Sequence, residues 1–105
     1  MKYIMFEHEI EGQKQLIPII FPKQLVHELV ARHMNVCFAR HGFQTKPVSA
    51  GEVSVFGTKL TCTGYSETLK LESKPTDAAV IHNYDYMFGI EAPGVEDVIS
   101  RLVKE

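Results

Sequence analysis

His33, Cys37 and His41 stand four residues apart. On an unbroken helix they would share one side, and imidazole with thiolate suits zinc. The usual zinc spacings are absent, and three ligands spread over two turns converge poorly on one ion. A mid-stripe histidine, a buried cysteine and a C-terminal cap account for the same three residues. Cys62 with a histidine would make a nucleophile and base. Its neighbours Val53 and Leu60 place it on an apolar face, however, where thiols are inert. No G-x-S-x-G, H-E-x-x-H or glycine-rich phosphate loop occurs. No catalytic residue is assigned and no cofactor is implied.

The most distinctive chemistry lies in PVSAGEVSVFGTKLTCTGYSET, residues 47 to 68. Gly57-Thr58 supplies a two-residue hairpin turn. Setting Phe56 against Lys59 brings Val55 to Leu60, Val53 to Cys62, Gly51 to Gly64 and Ser49 to Ser66. The apolar residues then fall on one face, which supports that register. Two opposed glycines remove all side-chain volume at one level of the sheet. Either a closely packed helix or a ligand lying on bare backbone would fill the space. Ser49, Ser66 and Thr68 add hydroxyls, and Lys46, Lys70 and Lys74 lie close in sequence. Lysines beside hydroxyls and amides suit an anion such as phosphate. Glu67 argues against a bare anion and for a nucleotide, whose ribose hydroxyls or base edge it would accept from. The candidate ligand site is therefore Ser49, Gly51, Gly64, Ser66 and Thr68, with Lys46 and Lys70 as charges.

The elements that position these residues follow from periodicity. Residues 2 to 10 alternate, with Ile4, Phe6, His8 and Ile10 on one side and Tyr3, Met5, Glu7 and Glu9 on the other. Glu11-Gly12 marks a turn, and QLIPIIF returns as a second strand. Pro18 places that strand at an edge or bulge. Pairing around Gly12 sets Ile4 and Phe6 beside Ile17, Ile19 or Phe21, the expected core face. Pro22 suits a first helical turn. Leu25, Val26, Leu29, Val30, His33 and Met34 then recur at helical spacing, and Arg40, His41 and Gly42 end the segment. One helix is expected over 23–41, with Asn35 a candidate break. Ser73 or Thr76 would cap a second helix, with Asp77 at its start. Tyr84, Tyr86, Met87 and Phe88 form an aromatic cluster suited to a core or a partner contact. Val95, Val98, Ile99, Leu102 and Val103 form an amphipathic terminal helix.

The expected fold is α+β, ordered ββαββαα: one domain over residues 1–105, with a roughly four-stranded antiparallel sheet and helices mainly on one face. The chain has 105 residues, 45% of them hydrophobic, and a formal net charge of -2. That charge gives no overall match to nucleic acid or an anionic membrane. A domain this short would gain from homo-oligomerisation. Two separated cysteines and no signal-like segment suit a reduced cytoplasm.

P-V-S-A-G-E-V (47–53), G-Y-S-E-T-L (64–69) and K-P-T-D-A (74–78) together resemble short uncharacterised proteins found among phage and prophage genes. Those carry S-A-G-x-V and G-x-S-E-S/T-L segments and an acidic helix start. The likeness spans roughly residues 20 to 82, and it implies a setting in a host cytoplasm. Phages encode small proteins that sequester host immune nucleotides. By analogy, the expected function is a non-enzymatic protein that sequesters a small anionic, nucleotide-like ligand. The alternatives are a protein-binding inhibitor or adaptor without a small ligand, and a small nucleotide hydrolase.

Overall fold

The structure is a computed structural model that describes residues 1–57 and 59–84. The terminal helix expected near Val95–Val103, the cluster residues Tyr86, Met87 and Phe88, and the turn residue Thr58 lie outside the described residues. The element order is β1 (Lys2–Ile10), β2 (Gln13–Phe21), α1 (His27–Arg40), β3 (Thr45–Phe56), β4 (Lys59–Thr63), β5 (Tyr65–Ser66), β6 (Leu71–Glu72) and α2 (Asp77–His82).

Four strands form an antiparallel sheet in the order β2-β1-β3-β4. Glu11 and Gly12 both have positive φ, as a two-residue type I′ turn requires, and Ile10 pairs with Gln13. That turn fixes Ile4 against Ile19 and Phe6 against Ile17. Pro18 lies opposite Met5 on β2, an edge strand. The β1–β3 register shifts between Met5 and Phe6, which leaves Val48 as an extra residue beside Pro47.

Both faces of the sheet are covered. Ile4, Phe6 and Ala50 pack with Phe21 and Ala31 under α1, where the Phe6 and Phe38 rings meet edge-on at 5.4 Å. Tyr3, Met5 and Val53 pack with Ile81 of α2 on the other side. Thus the 14 residues of α1 cover one face and the 6 of α2 cover part of the other. The alternation of β1 marks Tyr3 and Met5 as outward, yet both are fully buried.

Helix α1 begins four residues later than its periodicity predicts. Pro22 to Leu25 close a turn instead, with the Leu25 N–H donating to the Pro22 carbonyl at 3.1 Å. The helix runs unbroken through Asn35. It ends in a Schellman arrangement: Phe43 N–H donates to Phe38 O at 2.9 Å and Gly42 N–H to Ala39 O at 3.0 Å. His27, Val30, Ala31, Met34 and Phe38 face the sheet, whereas Leu29, His33, Val36 and Cys37 face outward. Among the described residues, no helix is long and apolar enough to cross a membrane.

Candidate functional site

The β3–β4 ladder follows the expected register from Phe56↔Lys59 to Glu52↔Thr63 and then stops. Gly64 has φ +80, a conformation in which a side chain would be strained, and the chain leaves the ladder there. It forms a small hairpin, β5 with β6, that packs beside β3. Gly51 therefore does not face an empty level of the sheet. A Cβ built on Gly51 would collide with the Thr63 carbonyl oxygen and lie 3.3 Å from both the Gly64 carbonyl oxygen and the Ser73 Cβ. The volume that Gly51 gives up is filled by the chain's own backbone, not by a helix.

The hydroxyls of this region are built into the walls. Val26 caps α1 without a side-chain hydrogen bond, so the helix's first N–H groups need a donor's partner from elsewhere. Thr68 supplies one: its Oγ1 accepts from the Glu28 N–H at 3.3 Å. Ser66 is buried, and its Oγ accepts from the Leu69 N–H at 3.2 Å and lies 3.3 Å from Thr68 Oγ1. Ser49 is fully buried opposite Met5, and its Oγ has no hydrogen-bond partner among the described residues.

An open cleft of about 500 Å³ lies between the start of α1 and the 64–68 segment. Gly64, Ser66 and Thr68 line it, as do Lys2, Val26, His27, Glu52, Tyr65 and Glu67. The Lys2 ammonium donates to the Leu25 carbonyl at 2.9 Å, which leaves two of its N–H groups free of that bond. His27 is buried, with its ring edge-on to Phe21. Its Nε2 lies 3.1 Å from the Gly51 carbonyl, so this nitrogen carries the proton and donates. Burial lowers the His27 pKa, and the nearby Lys2 charge pushes the same way, against the pull of the Gly51 carbonyl. The imidazole is therefore neutral at neutral pH.

The remaining predicted residues lie elsewhere. Lys70, in a left-handed turn conformation, lines an adjoining cleft of about 390 Å³ on which Tyr65, Ser66 and Glu67 also border. Lys46 sits toward the far end of β3, where its Nζ is 3.7 Å from Glu7 Oε1. With Lys14 and Glu9 it borders a third cleft of about 610 Å³. The structure thus brings Gly64, Ser66 and Thr68 into one cleft; Lys70 lines the adjoining one, and Gly51 packs against the Thr63 and Gly64 backbone rather than lining either. Ser49 and Lys46 do not join them.

Neither Lys2 nor His27 carries a periodic or motif signal, and their place in the cleft comes from the packing of α1 across the sheet. Of the zinc candidates, His33 and Cys37 are exposed on the outer side of α1, and His41 is its C-terminal cap. No group of three His, Cys, Asp or Glu side chains able to hold a metal occurs among the described residues.

A second polar cluster carries no motif signal in the sequence. Asp77, at the start of α2, is buried under the opposite face of the sheet. Its Oδ2 accepts from the Tyr3 hydroxyl at 2.5 Å and from the Lys74 N–H at 2.9 Å. Burial, with Asp77 adding to it, holds the Tyr3 hydroxyl far above its ordinary pKa, and pushes the neighbouring Cys62 thiol up to about 11. Sequence suggests only a helix-dipole role for Asp77; its pairing with a residue 74 positions away has no local signal.

No protein-family model, curated protein or solved structure matches the chain.

Proposed function

We propose that this protein is a non-enzymatic binding protein that holds a nucleotide-like ligand in the cleft between the start of α1 and Gly64–Thr68. The observation that carries the reading is the meeting of Gly64, Ser66 and Thr68 with Lys2, a buried neutral His27 and an exposed aromatic ring in one concave site. Tyr65 is 61% exposed at the border of the cleft, and a flat base would stack on it. Glu52 and Glu67 suit ribose hydroxyls or the donors of a base edge. Among the described residues, Lys2 is the single cation lining the cleft, against those two carboxylates. The site therefore suits a ligand with little negative charge, such as a nucleoside monophosphate or cyclic mononucleotide, more than a triphosphate. Sequestering such a molecule from host signalling is the role suggested by analogy with small phage proteins that hold host immune nucleotides.

Native mass spectra of protein purified gently from cells, repeated after denaturation, test this reading. The expected result is a mass excess that denaturation removes and that Tyr65→Ala with Lys2→Gln abolishes while the fold persists. A clean apo mass, with no thermal stabilisation by any of a panel of nucleotides, would overturn it. The adaptor reading draws on a different feature: Val55 and Phe56 at the β3–β4 turn are 60% and 83% exposed. It would be favoured if a specific protein co-purified and Phe56→Ser released it.

A further inference from the structure

Among the described residues, the cleft between α1 and Gly64–Thr68 offers a ligand more acceptors than donors. The Ser66 and Thr68 oxygens each accept from a backbone N–H, and the His27 Nε2 proton is committed to the Gly51 carbonyl. The groups left to meet a ligand are the Lys2 ammonium, the Glu52 and Glu67 carboxylates and the exposed Tyr65 ring. These divide into two pairs. Lys2 and Glu52 stand opposite each other in the β1–β3 register, so their charges are cross-strand neighbours. Among the described residues, no ion pair engages Glu67. The Tyr65 hydroxyl donates to its Oε1 at 3.4 Å instead, which ties this carboxylate to the edge of the ring.

A base stacked on Tyr65 therefore meets, at its edge, a carboxylate that no cation offsets. An ionised carboxylate only accepts, and each of its two oxygens has room for two bonds, so the Tyr65 hydroxyl leaves both able to accept. Guanine is the base whose pairing edge carries two adjacent donors, the N1–H and the N2 amino group, and it satisfies both oxygens at once. Adenine and cytosine set an amino group beside an unprotonated ring nitrogen, whose lone pair would face the second oxygen. Uracil offers one N–H between two carbonyls. Each of these sets acceptor against acceptor. Resting on the nucleotide reading of this cleft, we infer that its ligand is a guanine mononucleotide, with the base stacked on Tyr65 and its N1 and N2 donors on Glu67. Lys2 then meets the phosphate and Glu52 the ribose hydroxyls.

Calorimetric titration of the full chain with guanosine, inosine, adenosine, cytidine and uridine monophosphates tests this assignment. Guanosine monophosphate is expected to bind at least about tenfold tighter than the adenosine, cytidine and uridine compounds, the discrimination of one bidentate base contact. Inosine monophosphate keeps the N1–H and lacks the amino group, and is expected to fall between. Glu67→Gln, at an exposed position, is expected to keep the far-UV circular dichroism. It should weaken guanosine monophosphate to within about threefold of adenosine monophosphate, because an amide sets one donor beside one acceptor and pairs with either base. Equal affinities in the wild type, or a guanine preference that survives Glu67→Gln, would overturn the guanine assignment and leave the nucleotide reading standing. Binding of none of these compounds would overturn both.

Discussion

Removing the Tyr3 hydroxyl takes away a buried hydrogen bond at almost constant shape. Tyr3→Phe keeps the ring that packs with Met5, Val53 and Ile81, so no large cavity opens. What disappears is the 2.5 Å hydrogen bond to Asp77, between groups that are 0% and 1% exposed. Hydrogen bonds to charged groups contribute about 1.5–3 kcal/mol, and here the abandoned carboxylate stays buried with the Lys74 N–H still donating to it. The expected loss is about 2–3 kcal/mol, a large share of the roughly 5–15 kcal/mol that stabilises an ordinary domain. It corresponds to a fall in Tm of roughly 10–20 °C for a chain of this size.

Urea unfolding followed by far-UV circular dichroism measures this loss, and an unchanged m-value shows that the two end states are comparable. A double-mutant cycle with Asp77→Ala should return a coupling of at least about 1 kcal/mol. The pH dependence is a second readout. The folded state keeps the Tyr3 and Cys62 protons at pH values where the unfolded chain has lost them. Stability is therefore full below about pH 8.5 and falls as pH rises, first through Cys62 and then, above about pH 10, through Tyr3. Tyr3→Phe should remove the second part of that fall. A variant within about 0.5 kcal/mol of wild type, with the alkaline limb intact, would refute the view that this bond ties α2 to the sheet.

Two further outcomes follow from the other side of the molecule. Gly51→Ala should destabilise by about 2–3 kcal/mol, because the new methyl meets the Thr63 and Gly64 carbonyl oxygens, which are backbone and yield poorly; a urea midpoint equal to wild type would show that the hairpin can shift at little cost. Burial keeps the folded His27 from binding a proton that the unfolded chain takes up near pH 6.5, so stability should decline as pH falls from about 6.5 towards the lowered folded value. His27→Gln should flatten that slope in urea midpoints compared between about pH 5 and pH 7.5, and an identical slope would assign it to other groups.

The legible parts of this fold are those set by short-range pattern. Alternation identifies β1, Glu11-Gly12 fixes its partner, and the apolar faces of 53–56 and 59–62 fix the β3–β4 register. Gly42 after Arg40 marks the end of α1. The start of α1 has no local signal because the hydroxyl that accepts from its Glu28 N–H is that of Thr68, 40 residues further on. Pro22, the apparent start signal, instead opens a turn. The second core face was hidden for a related reason. Tyr3 and Met5 alternate with a strongly apolar set and share their side with Glu7 and Glu9, so they look solvated until α2 is placed over them. Within the site, the 64–68 segment was legible from its own composition. Lys2 and His27 reach it only because β1 and α1 both begin beside that segment.

The division of labour in that cleft differs from what its composition suggests. Small hydroxyl residues beside glycines look like donors awaiting an anion. Here Ser66 holds the 66–69 turn and Thr68 holds the first turn of α1, so each hydroxyl is engaged with an N–H of the chain itself. A ligand competing for them would have to release backbone donors that are costly to leave unpaired. The groups able to meet a ligand at no such cost are the residues those hydroxyls hold in place: the Tyr65 ring, the Glu52 and Glu67 carboxylates and the unused donors of Lys2. Variants at Ser66 and Thr68 therefore report on the wall, and variants at Tyr65, Glu67 and Lys2 report on recognition. The proposed nucleotide reading stands or falls on the second set.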